Sequence, residues 1–95
     1  MPAPGSPPRL LLQLYVAGGA PNSVRAIANL RAICDQHFPG DYEIEIVDLM
    51  MQPARALKDG ILVTPTLVRW LPLPTQRLIG SLDASELVLT TLAHP

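Results

Sequence analysis

The chain has 95 residues, which leaves room for one small domain. Hydrophobic residues make up 48% of it and charged residues 16%, a composition that excludes an intrinsically disordered polar chain. Seven basic against eight acidic residues give a formal net charge of −1, which disfavours sequence-independent nucleic-acid binding because such domains carry a basic excess.

The first eight residues contain four prolines, one glycine and one serine, and we expect residues 1–8 to form a flexible segment before a domain at 9–95. They lack the basic-then-apolar order of a secretory signal, and the apolar runs of the chain are far shorter than the roughly 20 residues of a membrane span. A single cysteine cannot form an internal disulfide. These features predict a cytoplasmic protein.

The first half of the domain has the pattern of a strand, a helix and a second strand. Residues 10–16 form an almost continuous apolar run, typical of a strand that is buried on both faces. Pro21 and Ser23 provide the chemistry of a helix start, with Ser23 as a cap. The apolar residues that follow recur at helical spacing, namely Ile27, Leu30, Cys34 and Phe38. Residues 42–49 begin with alternating apolar and acidic side chains, which predicts a second strand with one wet face.

A short helix and an interrupted strand are predicted next. Pro53 precedes helix-forming residues at 54–59, and Gly60 stands in the position of a C-terminal cap. Residues 61–68 have the composition of a third strand, but Pro65 interrupts it. Because proline cannot donate to a sheet ladder, Pro65 should lie at a sheet edge or follow a cis peptide bond.

The last elements are a fourth strand and a final helix. Residues 77–80 predict the strand, and Asp83 with Glu86 forms a capping box for a helix from about Ala84 to Leu92. The resulting order is βαβαββα, and its strand–helix–strand units indicate an α/β sandwich with a partly parallel sheet.

This order, with a proline in the third strand, suggests a thioredoxin-like domain. A redox member needs a thiolate after the first strand, but residues 17–23 contain no cysteine, so disulfide exchange of the usual kind is excluded. Cys34 falls on the apolar stripe of the first helix, where a small buried thiol is expected. One cysteine and two distant histidines do not make a zinc site. We therefore expect no catalytic residue, no metal and no cofactor.

Three arginines and one tryptophan are candidates for binding a partner. Arg25, Arg69 and Arg77 come from different predicted elements and can form a dispersed cationic surface, although ordinary solubilising charge is the other interpretation. Arg69, near the end of a predicted strand, is expected to be exposed. Trp70 is the only tryptophan, and it either anchors an interface or covers the core.

The segment at residues 14–26, Leu-Tyr-Val-Ala-Gly followed by Pro-Asn-Ser-Val-Arg-Ala, resembles the KaiB family of circadian-clock proteins. Thr-Pro-Thr-Leu at 64–67, Leu-Pro-x-Pro at 71–74 and Arg-x-Ile-Gly at 77–80 match in register, so the resemblance covers residues 10–92. It implies a non-enzymatic protein that binds a KaiC-type hexameric ATPase, modulates its phosphorylation cycle and recruits other clock components.

The resemblance also implies two alternative folds that differ after about residue 50. One is the thioredoxin-like βαβαββα form, and the other is a βαββααβ form that packs as a tetramer, so a homodimer or homotetramer is open. The capping box at Asp83 favours the thioredoxin-like form. Thr64 and Pro65 match the position of the cis-proline, which we expect to change between the two forms.

The chain departs from the clock-type members of this family at several positions that are commonly basic there, namely Gln13, Glu45, Gly60 and Gln76. The resemblance therefore implies a thinner cationic surface than theirs. Two alternatives to clock function stay open. One is a divergent paralogue in stress signalling, and the other is a cysteine-less thioredoxin-like enzyme or thiol-binding protein.

Overall fold

The computed structural model describes residues 8–94, so the predicted flexible segment, apart from Pro8, lies outside the described residues. The described elements follow the predicted βαβαββα order. They are β1 (Leu10–Val16), α1 (Pro21–His37), β2 (Tyr42–Asp48), α2 (Ala54–Asp59), β3 (Thr66–Leu71), β4 (Gln76–Ile79) and α3 (Ser85–Ala93).

The strands form one sheet in the order β2-β1-β3-β4. β1 and β2 are parallel, whereas β3 is antiparallel to both β1 and β4, which confirms the predicted partly parallel sheet. In this register Leu14 of β1 lies between Ile46 of β2 and Leu67 of β3. Because side chains alternate along a strand, the odd-numbered residues of β1 share one face of the sheet and the even-numbered residues share the other.

The main core lies on the even-numbered face of β1, under α1 and α3. Leu12 of β1, Leu30 of α1, Leu67 of β3 and Leu92 of α3 belong to one buried cluster with Cys34. Burial of each leucine side chain contributes about 1.5–3 kcal/mol relative to its exposure. This layer therefore supplies most of the hydrophobic stabilisation of the domain.

The other face of the sheet carries a smaller core. Tyr15, Val47, Ile61 and Val68 form this second cluster at the end of the sheet near α2, and α2 itself has no buried residue. Leu11 and Gln13, farther along the same face, are only half-buried, so β1 is not covered on both faces over its full length as the sequence predicted.

The start of β3 differs from the prediction, because residues 61–65 do not belong to a strand. The Ile61 N–H donates to the Ala56 carbonyl at 2.8 Å, after Gly60 has turned the chain with a φ of 69°. This Schellman-type ending of α2 directs Ile61 into the smaller core instead of the sheet. β3 begins only at Thr66, after the Thr64–Pro65 bond, which is cis in the structure.

The predicted capping box at the last helix is wrong. α3 begins at Ser85 with Ala84 as its N-cap residue, and no side chain caps it. Asp83 instead accepts hydrogen bonds from the Asn29 amide at 2.9 Å, from the Ser81 hydroxyl and from Arg25. Asp83 therefore joins the start of α3 to α1 because tertiary donors take up the carboxylate that would otherwise cap the helix.

Ser23 is also not a helix cap. The N-cap residue of α1 is Ala20, and the buried Ser23 hydroxyl accepts a hydrogen bond from the Ala17 N–H at 3.1 Å. Ser23 therefore holds the loop after β1 against the first turn of α1.

Candidate partner-binding surface

Three loops meet where β1 and β2 end and β3 begins, and we call residues 17–20, 49–51 and 64–65 the loop end. Backbone hydrogen bonds hold these loops to the sheet: the Leu49 N–H donates to the Val16 carbonyl at 2.9 Å, and the Gly80 N–H donates to the Pro65 carbonyl at 2.9 Å. The Gly18 N–H donates to an Asp48 carboxylate oxygen at 3.0 Å. The loop end is thus a fixed surface at the carboxyl ends of the two parallel strands.

The loop end lacks the thiol that a redox thioredoxin carries. It contains no cysteine, and the nearby Ser23 hydroxyl is buried and is held by the Ala17 N–H. Cys34 lies away from it in the main core, where burial raises the pKa of the thiol to about 12. A thiol with this pKa is almost entirely protonated at neutral pH, and the thiolate is the reactive form.

Apolar side chains project into solvent at the loop end and next to it. Met50 and Met51 are 73% and 79% exposed, and a Cβ at Gly18 would lie 3.6 Å from the Met50 Cγ. The exposed Leu62 and Ile79 help line a neighbouring depression of about 120 Å³. Exposed apolar groups that lie close together mark interaction sites, and methionine adapts its shape to a partner surface.

The structure places Arg25 and Arg77 at the surface, but each already holds an element of the fold. Arg25 on α1 forms an ion pair with Asp83, in which both side chains are about half exposed. Arg77 on β4 donates to the Gly60 carbonyl at 2.9 Å and to the Asp59 carbonyl at 2.8 Å. These carbonyls belong to the last residue of α2 and to the residue that follows it, where a cation also complements the helix dipole.

The expected exposure of Arg69 is wrong, because its side chain is fully buried. Its guanidinium donates to the carbonyls of His94 at 2.8 Å and Pro74 at 2.7 Å, and to that of Thr91. Desolvation lowers the pKa of this arginine. Arg69 shares a sheet face with Leu67, so strand alternation directs it under the C-terminal end of α3. The three arginines therefore do not form one cationic surface.

Trp70 lies on the opposite face of the sheet from Arg69. It is half-buried against the smaller core, and its indole N–H donates to the side-chain oxygen of Gln13 at 2.6 Å. The Gln13 amide donates in turn to a Glu45 oxygen. The parallel register places Gln13 directly beside Glu45, so the contact follows from the pairing of β1 with β2.

The same polar network continues onto α2. Arg55 forms ion pairs with Glu45 at 3.2 Å and with Asp59 at 3.3 Å, and the Tyr15 hydroxyl donates to Asp59 at 2.6 Å. Burial, and then the hydrogen bond to Asp59, raise the pKa of Tyr15 to about 12. The hydrogen bond from Tyr15 is the main cause that lowers the pKa of Asp59. This network was not predicted from the sequence, where its one local sign is the i,i+4 spacing of Arg55 and Asp59.

Within residues 8–94, no group of three or more histidine, cysteine, aspartate or glutamate side chains is placed to hold a metal ion. Across the same described residues, no helix is long and apolar enough to cross a membrane.

The comparison with family models and the comparison with individual proteins identify the same family. The family model for the KaiB domain matches residues 13–94. The circadian clock protein KaiB3 of Synechocystis sp. is 44% identical over 84 residues, which cover 88% of this chain and 82% of that protein. The circadian clock oscillator protein KaiB of Synechococcus elongatus is 48% identical over 82 residues, which cover 86% of this chain and 80% of that protein.

Solved structures give the same fold. The N-terminal domain of SasA from Synechococcus elongatus superposes with a TM-score of 0.75 at 26% identity, covering 97% of this chain and 86% of that one. Chloroplastic thioredoxin z superposes with a TM-score of 0.73 at 17% identity, covering 87% of this chain and 74% of that one. The second likeness shows the fold alone, and both confirm the thioredoxin-like architecture expected from the sequence.

Proposed function

This chain belongs to the KaiB family of circadian-clock proteins, and from that premise we propose that it is a cytoplasmic, non-enzymatic regulator that binds a KaiC-type hexameric ATPase and modulates its phosphorylation cycle. One observation carries the proposal. The loop end presents exposed methionines beside the loop in which a redox thioredoxin carries its thiolate, and that loop has no cysteine.

The loop end supports binding through its apolar surface. Met50 and Met51 are mostly exposed in the isolated chain, and full burial of each against a partner is worth about 1.5–3 kcal/mol. The backbone near them is held by two hydrogen bonds, from the Leu49 N–H to the Val16 carbonyl and from the Gly18 N–H to the Asp48 carboxylate, so little backbone ordering accompanies docking. Thr64 is half-buried at the same surface and is a proposed contact, whereas Pro65 is buried.

Charge has a secondary role in this proposal. Arg25 and Arg77 are the surface cations of the predicted set, and they are proposed to face an acidic rim of the ATPase. Such rim charges act on the rate and register of encounter more than on final affinity. Arg69 is not part of this surface, because its guanidinium is buried under α3.

The test is binding to an immobilised KaiC-type hexameric ATPase from the native cell, with two matched variants. Met50→Ser should weaken binding severalfold because it removes apolar area at the loop end. Leu73→Ser removes a similarly exposed side chain from the loop that follows β3 at the other end of the sheet, and it should bind like the parent. Equal losses in both variants would argue against the loop end as the docking surface.

The ATPase's phosphorylation is then followed over time with and without the chain, and size-exclusion profiles report whether the chain is a monomer, homodimer or homotetramer. A chain that captures no KaiC-type ATPase from native extract would favour the paralogue in stress signalling.

An insulin-reduction assay addresses the enzyme alternative. Turnover that survives Cys34→Ala would contradict a non-enzymatic role.

A further inference from the structure

An open groove lies on the face of the sheet that carries the smaller core, and no residue of α2 is among its lining. Its volume is about 480 Å³, and within the described residues its lining comes from β1, β2 and β3 alone. Leu11 and Gln13 form its floor, Glu43 and Glu45 lie on one side and Trp70 lies on the other. β2 is an edge strand, so no further strand closes the groove on the side of the glutamates.

The charge of this groove is incompletely neutralised. Glu45 is paired with Arg55 at 3.2 Å, and the Gln13 hydrogen bond is the main cause that lowers the pKa of its carboxyl. Glu43, two residues earlier on the same face, is exposed and forms no ion pair with any of residues 8–94. The groove therefore has an aromatic ring on one side and, on the other, a carboxylate that forms no ion pair with the described residues.

The orientation of Trp70 adds a second recognition element. Its indole N–H is already satisfied by the Gln13 oxygen at 2.6 Å, so the ring has no donor left to offer a partner. What remains for a ligand is the ring surface, and the electron-rich face of an indole is the side-chain surface that attracts cations most strongly. The bond to Gln13 also fixes the ring in one position, which reduces the ordering cost of binding.

We propose that this groove receives an arginine side chain from an extended segment of a partner protein, with the guanidinium on Glu43 and its plane against Trp70. Arginine fits better than lysine because its planar guanidinium can pair with a carboxylate and stack on an aromatic ring at the same time. A protein segment fits better than a free small molecule, because small-molecule sites enclose most of their ligand and this groove is open along β2.

This surface is separate from the loop end. Leu11 and Glu43 are at the start of β1 and β2, whereas the loop end follows the last residues of both strands. Binding at the groove is therefore independent of the proposed binding to an ATPase.

The experiment uses the full chain and Trp70 fluorescence, since the chain has a single tryptophan. The probe is the peptide acetyl-Gly-Arg-Gly-Arg-Gly-amide, compared with the same peptide carrying citrulline at both arginine positions, which keeps the shape and removes the charge. The arginine peptide should give a saturable change in Trp70 emission that weakens as salt is raised, and the citrulline peptide should bind much more weakly.

Two matched variants locate the contact. Glu43→Gln should weaken binding of the arginine peptide about two- to fivefold, the range for the loss of one exposed ion pair. Glu86→Gln removes an exposed carboxylate from α3, which packs on the opposite face of the sheet, and it should leave binding unchanged. Near-ultraviolet circular dichroism checks that both variants keep the fold.

Any of these results would overturn the proposal: no saturable change up to millimolar peptide, equal binding of the citrulline peptide, or equal effects of Glu43→Gln and Glu86→Gln. Tighter binding of spermidine than of the arginine peptide would also overturn it, because the groove would then be a site for a small polycation.

Discussion

Arg69 joins β3 to two other parts of the chain. Its guanidinium binds the Thr91 and His94 carbonyls at the end of α3 and the Pro74 carbonyl in the loop after β3, while its Nε has no partner among the described residues. A buried cation held by carbonyl dipoles, with no ion pair to any carboxylate of residues 8–94, loses much of its stabilisation if any acceptor is lost. Arg69 is therefore a structural residue of this fold.

We predict that Arg69→Ala lowers the free energy of unfolding by about 2–4 kcal/mol, because it opens a cavity and removes the guanidinium donor from three carbonyls. Arg69→Lys should be intermediate, since one ammonium cannot span all three acceptors. Urea unfolding measures both, with the exposed Arg31→Ala on α1 as the control. An Arg69→Ala variant as stable as Arg31→Ala would contradict this role.

The burial of Cys34 predicts a thiol that reacts slowly. Its thiol is fully buried among the leucines of the main core, and burial raises its pKa to about 12. We predict that an aromatic disulfide reagent labels Cys34 in the native protein only as fast as unfolding of the surrounding core exposes the thiol. In urea the same reagent should label Cys34 at once. Rapid labelling of the native protein would contradict this burial.

At the scale of elements, α2 is held to the sheet by polar contacts. It buries no side chain of its own, and it is attached through the Tyr15–Asp59 hydrogen bond, the Arg55–Glu45 ion pair and the two bonds from Arg77. Helices with little apolar burial belong to the least stable part of a domain. Amide exchange should therefore be faster in α2 than in α1.

We predict that Tyr15→Phe destabilises the protein by about 1–2 kcal/mol and accelerates amide exchange in α2, because Asp59 loses its buried donor. Tyr42→Phe is the control. It also removes a hydroxyl bonded to a carboxylate, that of Asp35, but lies away from α2. Equal exchange in α2 for the two variants would show that Tyr15 does not hold this helix.

The Tyr15–Asp59 hydrogen bond makes the free energy of unfolding depend on pH. Asp59 has a lowered pKa in the folded state, so its contribution is present above about pH 4 and is lost as the pH falls through its folded value. The pKa of Tyr15 is raised to about 12, so its contribution is present below about pH 10 and is lost as the pH rises towards 12. Tyr15→Phe should flatten the stability profile at both ends, as measured by urea unfolding across pH.

The element order was predictable from the sequence because each periodic segment carries its own signal. Gly60 marks the end of α2, and the alternation at residues 42–46 marks β2, whatever lies around them. The capping box at Asp83 misled because side chains from α1 compete for its carboxylate, and a local pattern cannot show them. The position of Arg69 and the Gln13–Glu45 contact depend on strand register, which arises only when the sheet forms.

At the scale of the whole molecule, the two faces of the sheet and the loop end have different roles. The face under α1 and α3 carries the main core, the loop end offers apolar contact area, and the other face carries α2 and the acidic groove. A partner at the loop end and a partner at the groove would meet different chemistry, because methionines dominate the first surface and glutamates the second. Cations near the loop end should then affect only the first partner.

The Arg25–Asp83 ion pair separates a binding role of Arg25 from a structural one. Arg25→Glu and Asp83→Asn both break this half-exposed pair, but only Arg25→Glu removes the cation. If Arg25 faces an acidic rim of the ATPase, Arg25→Glu should slow association roughly three- to tenfold at low ionic strength, whereas Asp83→Asn should not slow it. The difference should shrink at high salt, because exposed charges are screened over about 8 Å at physiological ionic strength. The measurement is association kinetics on the immobilised ATPase at two salt concentrations. Equal slowing in both variants would assign Arg25 to the fold alone and leave the apolar side chains of the loop end as the docking contact.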